Sequence, residues 1–319
     1  MSESEYLVSA IVSVYNCERF IEGCLQDLED QTIASTVEII VINSGSQQNE
    51  EAIIRRFQKR FDNIVYIKTE ERETIYKAWN RGIKIAAGKY ITNANADDRH
   101  RKDAFEIMVT ELEKNQNIDL LYGDSIITET ENDTYETCHP IGYNNYPLDI
   151  IDRSSFLRYG GVGCQPMWRK KIHDVYGYFD ERLKIAGDYE FWLRISRNSK
   201  FKHIKDYTGL YLRNPSGVEH SHYELTLVET LSVMESYLPE IAKDKKLLTD
   251  VKYKMAIKYS YLGHFYLLQG RNHLSRKPLI SAIVYDWKAL KYYVMFFASF
   301  IPKVLLKYLL RRRKINTNS

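Results

Sequence analysis

The chain has 319 residues, enough to bury a large core, and its composition, 44% hydrophobic and 27% charged, is that of an ordinary globular protein. A net charge of +3 over this length gives no electrostatic reason to bind nucleic acid. Cys17, Cys24, Cys138 and Cys164 form no CxxC pair and no regular framework, which indicates neither a zinc site nor a disulfide scaffold and implies a reducing compartment.

Glu3 and Glu5 precede the first apolar run without a basic leader or a small-residue cleavage site, so the start reads as that of a cytoplasmic protein. Residues 7–14 form a buried strand by pattern, and Ile21, Cys24, Leu25 and Leu28 then fall at i, i+3, i+4 and i+7 on one helical face. A second buried strand, residues 38–43 (EIIVIN), ends at Ser44-Gly45-Ser46, and residues 50–61 read as the next helix. Residues 64–67 give a short third strand. Helical spacing returns at Ile75, Ala78, Trp79, Gly82, Ile83 and Ala86, with Gly88 expected to stop the helix in the left-handed C′ position.

Residues 89–95 make a fourth strand that runs into Asn95-Ala96-Asp97-Asp98. Adjacent aspartates repel one another, so the cluster needs a reason: either a divalent cation with a phosphorylated ligand, or a cap by Asp98 or Asp103 on the helix over 103–114. The inner side of that helix is expected to carry Ala104, Ile107, Met108, Glu111 and Leu112. Strand–helix alternation of this kind implies an α/β fold with a mostly parallel sheet sandwiched by helices, whose ligands bind beyond the carboxyl ends of the strands. Val14-Tyr15-Asn16, Asn43-Ser44-Gly45 and Asn95-Ala96-Asp97 all lie at such ends and are expected to converge on one crevice.

Beyond a strand at 119–122 the chain suggests a hairpin turning near Asn132-Asp133 and returning by Cys138. Gly160-Gly161-Val162-Gly163 is a loop, and Gly187-Asp188-Tyr189-Glu190 opens a helix with Phe191, Trp192 and Ile195 on its apolar face. From His222 onward the pattern is almost wholly helical, dividing the chain into 1–221 and a helical extension, 222–319. Residues 292–310 are strongly apolar but broken by Pro302, Lys303 and Lys307, and they lead into Arg311-Arg312-Arg313-Lys314. That suits a helix lying at a membrane surface, or one docked on the protein's own core, better than a span.

Read together, VSAIVSVYNCERFIEGCLQDLEDQT, EIIVINSGS, YKAWNRGIKIAAGKYITNANADD and FDERLKIAGDYEFWLR resemble glycosyltransferase family 2 in order and spacing, over roughly residues 7–215. The resemblance implies the GT-A fold and an inverting, metal-dependent enzyme. Such an enzyme moves a sugar from a nucleotide diphosphate-sugar, UDP-linked by preference, to a glycan or lipid-linked saccharide, with Mn²⁺ or Mg²⁺ at the leaving phosphates. Bacterial surface polysaccharide synthesis, at the inner face of the plasma membrane, is the setting it suggests.

Carried onto this chain, the family's acidic motif makes Asp97 the metal ligand, with Asn95 where the usual Asp-x-Asp has its first carboxylate. Asn43-Ser44 stands where the family has a nucleobase-reading aspartate, beside a base wall of Val14, Tyr15 and Asn16; Arg72 and Lys77 are candidates to face phosphates. Asp188 takes the place of the catalytic base, with Glu190 as the alternative. Gly163, Gln165 and Trp168 are expected to line the acceptor pocket; His220 and His222, with Arg213 nearby, are candidates to complete a metal or pyrophosphate site from a closing loop, against the commoner structural role of a lone histidine. The two asparagines keep a second reading open, a nucleotide- or glycan-binding protein that holds the fold without turnover.

Overall fold

The computed structural model describes residues 6–146, 150–151, 153–214 and 222–301. It divides into two compact units, Met1–Gly217 and Val218–Ser319. In chain order the first unit runs β1 (Val8–Val14), α1 (Glu18–Glu29), β2 (Val37–Ser44), α2 (Glu50–Gln58), β3 (Ile64–Thr69), α3 (Ile75–Ile85), β4 (Tyr90–Asn93), β5 (Arg99–His100) and α4 (Ala104–Lys114). It continues through β6 (Leu120–Thr128), β7 (Gly142–Asn144), β8 (Ile150–Ile151), α5 (Arg153–Tyr159), β9 (Met167–Arg169), α6 (Ile172–Tyr176), α7 (Gly187–Ile195) and β10 (Phe201–Leu212).

One sheet joins these strands in the order β3-β2-β1-β4-β9-β6-β10-β5, with β7 on β6 and β8 on β10. β3, β2, β1 and β4 are parallel, β9 runs antiparallel between β4 and β6, and β6 is parallel to β10. β1 and β2 are buried almost end to end because helices cover both faces. On one face Val8, Ala10, Val12 and Val14 pack with Ile21, Leu25 and Leu28 of α1, Phe57 of α2 and Phe105, Met108 and Leu112 of α4. Each such side chain contributes about 1.5–3 kcal/mol on leaving water. On the other face Gly82 of α3 sits so close to Ile11 that a Cβ would meet its Cγ2 at 2.7 Å. An aromatic layer lies on that face too, with Phe179 and Phe191 at 4.5 Å and Trp168 and Trp192 at 5.2 Å between centroids.

Three local expectations change. Gly88 is not a left-handed C′ residue: its φ is not positive, and α3 ends at Ile85 with Ala86, already out of the helical region, as its C-cap. Glycine is needed there because a Cβ would lie 2.5 Å from Ser9 Oγ, and the Gly88 N–H donates both to Ser9 Oγ and to the buried carboxylate of Glu38, each at 2.9 Å. In α4, Phe105 and Val109 are buried rather than Ile107 and Glu111, a rotation of the inner face set by packing on β1 and α1. The hairpin after β6 does turn at Asn132, which adopts φ 59, but its return strand is β7, beyond Cys138.

The second unit contains α8 (Tyr223–Ile241), α9 (Lys245–Leu268), α10 (Asn272–Tyr285) and α11 (Leu290–Ala298). Asp244 caps α9 by accepting from Leu247 N at 2.9 Å. Gly263 lets α9 and α10 approach until a Cβ would meet Leu279 Cγ at 2.5 Å. Ala256, Ala282 and Tyr292 form a small buried cluster joining α9, α10 and α11. No helix of the described residues is long and apolar enough to cross a membrane.

Candidate active site

The carboxyl ends of β1 and β2 are tied into one polar rim. Asn16 takes φ 50, and its Oδ1 accepts from Gln47 N at 2.9 Å, while its own N–H donates to Ser46 Oγ at 2.8 Å. The buried Glu50 carboxylate accepts from Cys17 N and Ser46 Oγ, both at 2.6 Å. Gly45, at φ +66, lies so near the 70–72 loop that a Cβ would come 2.9 Å from the Glu71 backbone. That contact brings Arg72 over the Tyr15 ring at 4.1 Å. Lys77 pairs with Glu73 at 3.1 Å.

Asn43 is buried, and its amide is turned inward: Oδ1 accepts from Ser46 N at 2.9 Å and Nδ2 donates to the Tyr66 hydroxyl at 3.0 Å. It closes an Asx-type turn at the end of β2. Val14 and Ser44 are buried beside it, so the surface of this rim is formed by Tyr15, Asn16 and Arg72.

At the end of β4 the chain turns through Asn95, Ala96 and Asp97 to Asp98. Asp98 is buried and caps no helix, because α4 begins at Ala104 and Asp103 precedes it. Asp103 in turn makes no side-chain cap bond and accepts instead from Arg101 Nε at 2.5 Å. The Asp98 carboxylate accepts from Asn95 Nδ2 at 3.0 Å and from Leu212 N, at the end of β10, at 3.2 Å. Burial and the neighbouring Asp97 push its carboxyl up to about 8. Burial also raises Asp97, against the stabilising effects of the Asn214 side chain and Arg19. Cys164 completes this corner, its thiol pushed well up by burial and by Asp98.

The acid turn is held by a residue the sequence reading passed over. Arg99 forms a bidentate pair with Asp27 of α1, Nε and Nη2 each 2.6 Å from a carboxylate oxygen, and Asp27 also accepts from His100 N at 3.0 Å. Arg99 Nη1 reaches the carbonyls of Asn132 and Asp133 at 3.1 Å, so one guanidinium locks α1, β5 and the β6–β7 turn behind Asp97-Asp98. Nothing in the local pattern marks Asp27 as its partner.

Asp188 sits in the first turn of α7 with Oδ1 2.7 Å from Tyr189 N and 3.1 Å from the Tyr76 hydroxyl, which also donates to the Ile185 carbonyl. The Tyr76 ring is buried against Gly187, where a Cβ would approach to 2.6 Å, which fixes the start of α7 on α3. A tyrosine sharing the Trp79 and Ile83 face carries a polar tip that needs a partner once buried, and that was the available sequence signal for Tyr76. Glu190 is occupied elsewhere, forked on Arg194 at 2.9 Å through both oxygens.

The expected acceptor-lining residues separate. Trp168 is 1% exposed, and its Nε1 donates to His173 Nε2 at 2.9 Å within the aromatic layer, so it is core and not pocket wall. Gln165 is also buried, spent on holding the Arg99 carbonyl at 2.9 Å. Gly163 alone remains partly open, at φ +75, with a hypothetical Cβ 3.3 Å from the Tyr146 hydroxyl. Tyr146 is anchored by Asp124, whose Oδ1 accepts from Tyr146 N at 3.0 Å and lies 2.7 Å from His203 Nε2. Arg213 pairs with Glu129 at 3.2 Å; His222 precedes α8, and His220 lies outside the described residues.

The described residues hold no group of three or more His, Cys, Asp or Glu arranged to bind a metal. Two adjacent, half-buried to buried carboxylates, both raised by burial and Asp98 also by Asp97, are nonetheless the kind of donor set a Mg²⁺ or Mn²⁺ shares with substrate phosphates, rather than a complete protein cage. The residues present fit such an ion at Asp97 and Asp98.

The family model described as glycosyl transferase family 2 matches residues 9–179. An uncharacterized glycosyltransferase of Methanocaldococcus jannaschii is 26% identical over 319 residues, spanning 98% of this chain and 96% of its own. Among solved structures, S. aureus TarS 1–349 in complex with UDP-GlcNAc aligns at a TM-score of 0.68 and 16% identity, over 88% of this chain and 81% of its own. The mannosyltransferase PcManGT of Pyrobaculum calidifontis in complex with GDP-Man and Mn²⁺ aligns at 0.60 and 14% identity, over 95% and 86%. At these identities the two structures establish the GT-A fold.

Proposed function

From glycosyl transferase family 2, to which the chain belongs, we propose that it is an inverting enzyme. It moves a sugar from a UDP-sugar to a glycan or lipid-linked saccharide, in the building of a surface polysaccharide at the cytoplasmic face of a membrane. The observation that carries the reading is that the first unit holds both a strand-end acid couple, Asp97-Asp98, and a separate carboxylate, Asp188, held at a helix start beside Tyr76.

Tyr15, Asn16 and Arg72 hold the base and the near phosphate, on the rim that Asn43 and Ser44 shape from beneath. Asn95 hydrogen-bonds the ribose. A bound Mn²⁺ or Mg²⁺, held by Asp97 with Asp98, would neutralise charge accumulating on the departing diphosphate. Asp188 accepts the proton of the acceptor hydroxyl as its oxygen attacks the anomeric carbon from the face opposite the leaving group. The acceptor approaches past Gly163 and Tyr146. UDP-GlcNAc is the first donor to try, since TarS is described with it.

The test is release of UDP from nucleotide sugars with Mn²⁺ or with EDTA, for the natural chain and for Asp97→Ala. Metal-dependent release, abolished by the substitution, supports transfer. Binding of nucleotide indifferent to metal, with no release on any acceptor, supports the second reading: a nucleotide- or glycan-binding protein without turnover, favoured by Asn43 and Asn95 standing where carboxylates are usual.

A further inference from the structure

The last two helices of the described residues invert the ordinary arrangement of a surface helix. α11 buries Tyr292 and turns Leu290, Val294 and Phe297 outward, with exposures of 73%, 60% and 65%. α10 continues the same apolar character through Ile280 and Val284, and Trp287, 67% exposed, stands in the turn between the helices. Three outward positions of α11 fall at i, i+4 and i+7, so they form one stripe and not a scatter. Exposed large apolar groups set this densely mark a surface that is covered in use.

Charge says what covers it. From Trp287 to Ser319 the sequence has eight Lys and Arg and no Asp or Glu. Lys288 and Lys291 lie within the stripe's own length, their ammonium groups 5.6 Å from the Trp287 ring centre and 5.1 Å from that of Tyr292. A second copy meeting this face symmetrically would bring cation against cation. An anionic bilayer supplies the opposite charge and an apolar interior together, with tryptophan and lysine at the depth each favours. With no helix of the described residues able to span, the element lies in the interface plane.

We propose that Ile280, Val284, Trp287, Leu290, Val294 and Phe297 dock the protein onto a bilayer surface rich in anionic lipid. The inference does not rest on the transfer reaction, although a surface-held enzyme would meet lipid-linked acceptors in two dimensions.

The experiment is flotation of the full chain with vesicles of phosphatidylcholine alone and of phosphatidylcholine with phosphatidylglycerol, at low and high salt. Binding is expected on the anionic vesicles, to weaken with salt, and to fall about fivefold for each of Lys288→Glu and Lys291→Glu. Val294→Glu with Phe297→Glu should abolish flotation while UDP release in solution and the unfolding temperature stay as they were. Failure of the natural chain to float overturns the proposal, as does flotation untouched by the double substitution. A fall in molecular mass by light scattering in the double variant would assign the face to a second copy instead. A large fall in unfolding temperature would assign it to the protein's own chain.

Discussion

The Tyr76 hydroxyl lies 3.1 Å from Asp188 Oδ1, linking α3 to the first turn of α7 across 112 residues of sequence. Burial and the Asp188 charge both hold the Tyr76 phenol well above its ordinary range, so it stays a proton donor at any working pH. Its one proton, shared between the Ile185 carbonyl and Asp188, steadies the carboxylate form of Asp188 and aims it, while Gly187 leaves room for the ring beneath.

Asp188→Asn is therefore expected to slow transfer by about 10²–10⁴-fold with nucleotide affinity unchanged. Tyr76→Phe keeps the ring against Gly187 but withdraws a hydrogen bond from the charged carboxylate, so the acidic limb of the kcat/KM profile should move to higher pH. An unshifted limb in Tyr76→Phe would show that the contact does not tune the base.

The pair of Arg99 and Asp27 makes a second prediction. Both side chains are nearly covered, at 11% and 14% exposure, and each is forked on the other. Removing one partner of such a pair costs about 3–5 kcal/mol, because the remaining charge loses its compensation. Asp27→Ala should lower the urea midpoint accordingly and also weaken metal-dependent nucleotide binding, since the turn bearing Asp97 loses its anchor. Lowered stability with intact binding would confine Arg99 to a scaffold role.

What the sequence made legible was whatever is local. The continuous apolar runs of β1 and β2 and the Ile21, Cys24, Leu25, Leu28 spacing of α1 each encode their own burial, and the structure places them so. Strand ends delivering Tyr15, Asn16 and Asp97 follow from the same alternation. Of the two roles open to Asp98, the cap is not made, because its partner, Leu212 N, comes from a strand 114 residues away. Trp168 suffered likewise: an indole beside a glycine-rich loop looks like a sugar platform until His173, on the next helix, is seen to satisfy its N–H inside the core. Local pattern reports the face a residue prefers, not the distant group that settles it.

Acid should withdraw the contribution of two buried histidines in a defined window. Burial pushes both His100 and His173 down to about 4. In His173 the neutral tautomer is fixed, with Nδ1 facing the Gly177 carbonyl at 2.9 Å and Nε2 accepting from Trp168. An unfolded histidine binds its proton near pH 6.5, whereas these two resist until far lower, so between those values the unfolded chain holds more protons. Their contribution is complete above about pH 6.5 and is lost as pH falls toward about 4, at roughly 1.4 kcal/mol per pH unit for each. Asp98 and Glu29, whose carboxyls burial raises to about 8 and about 7, act with the opposite sign over the same range, so the histidine contribution is read by difference: urea midpoints followed from neutral to mildly acid pH should fall more steeply in the natural chain than in His100→Leu. An identical slope in His100→Leu would place the acid sensitivity elsewhere.

Asn95 is the position where charge balance and metal binding are set against each other. Its Nδ2 donates to Asp98 Oδ2 at 3.0 Å, easing a buried carboxyl that Asp97 already pushes up. Asn95→Asp would withdraw that donor and add a third carboxylate to the turn. Without metal the variant should be less stable by about 1–3 kcal/mol, the cost of a buried polar group losing its partner, or a few degrees in unfolding temperature. With Mn²⁺ and UDP the same three acids gain a cation to neutralise them, so the ligand-induced rise in unfolding temperature should exceed that of the natural chain. Thermal melts of both proteins, with and without Mn²⁺ and UDP, read the two effects separately. A variant as stable as the natural chain without metal, or one with no larger rise, would mean that Asn95 neither relieves the acid pair nor limits its hold on the ion.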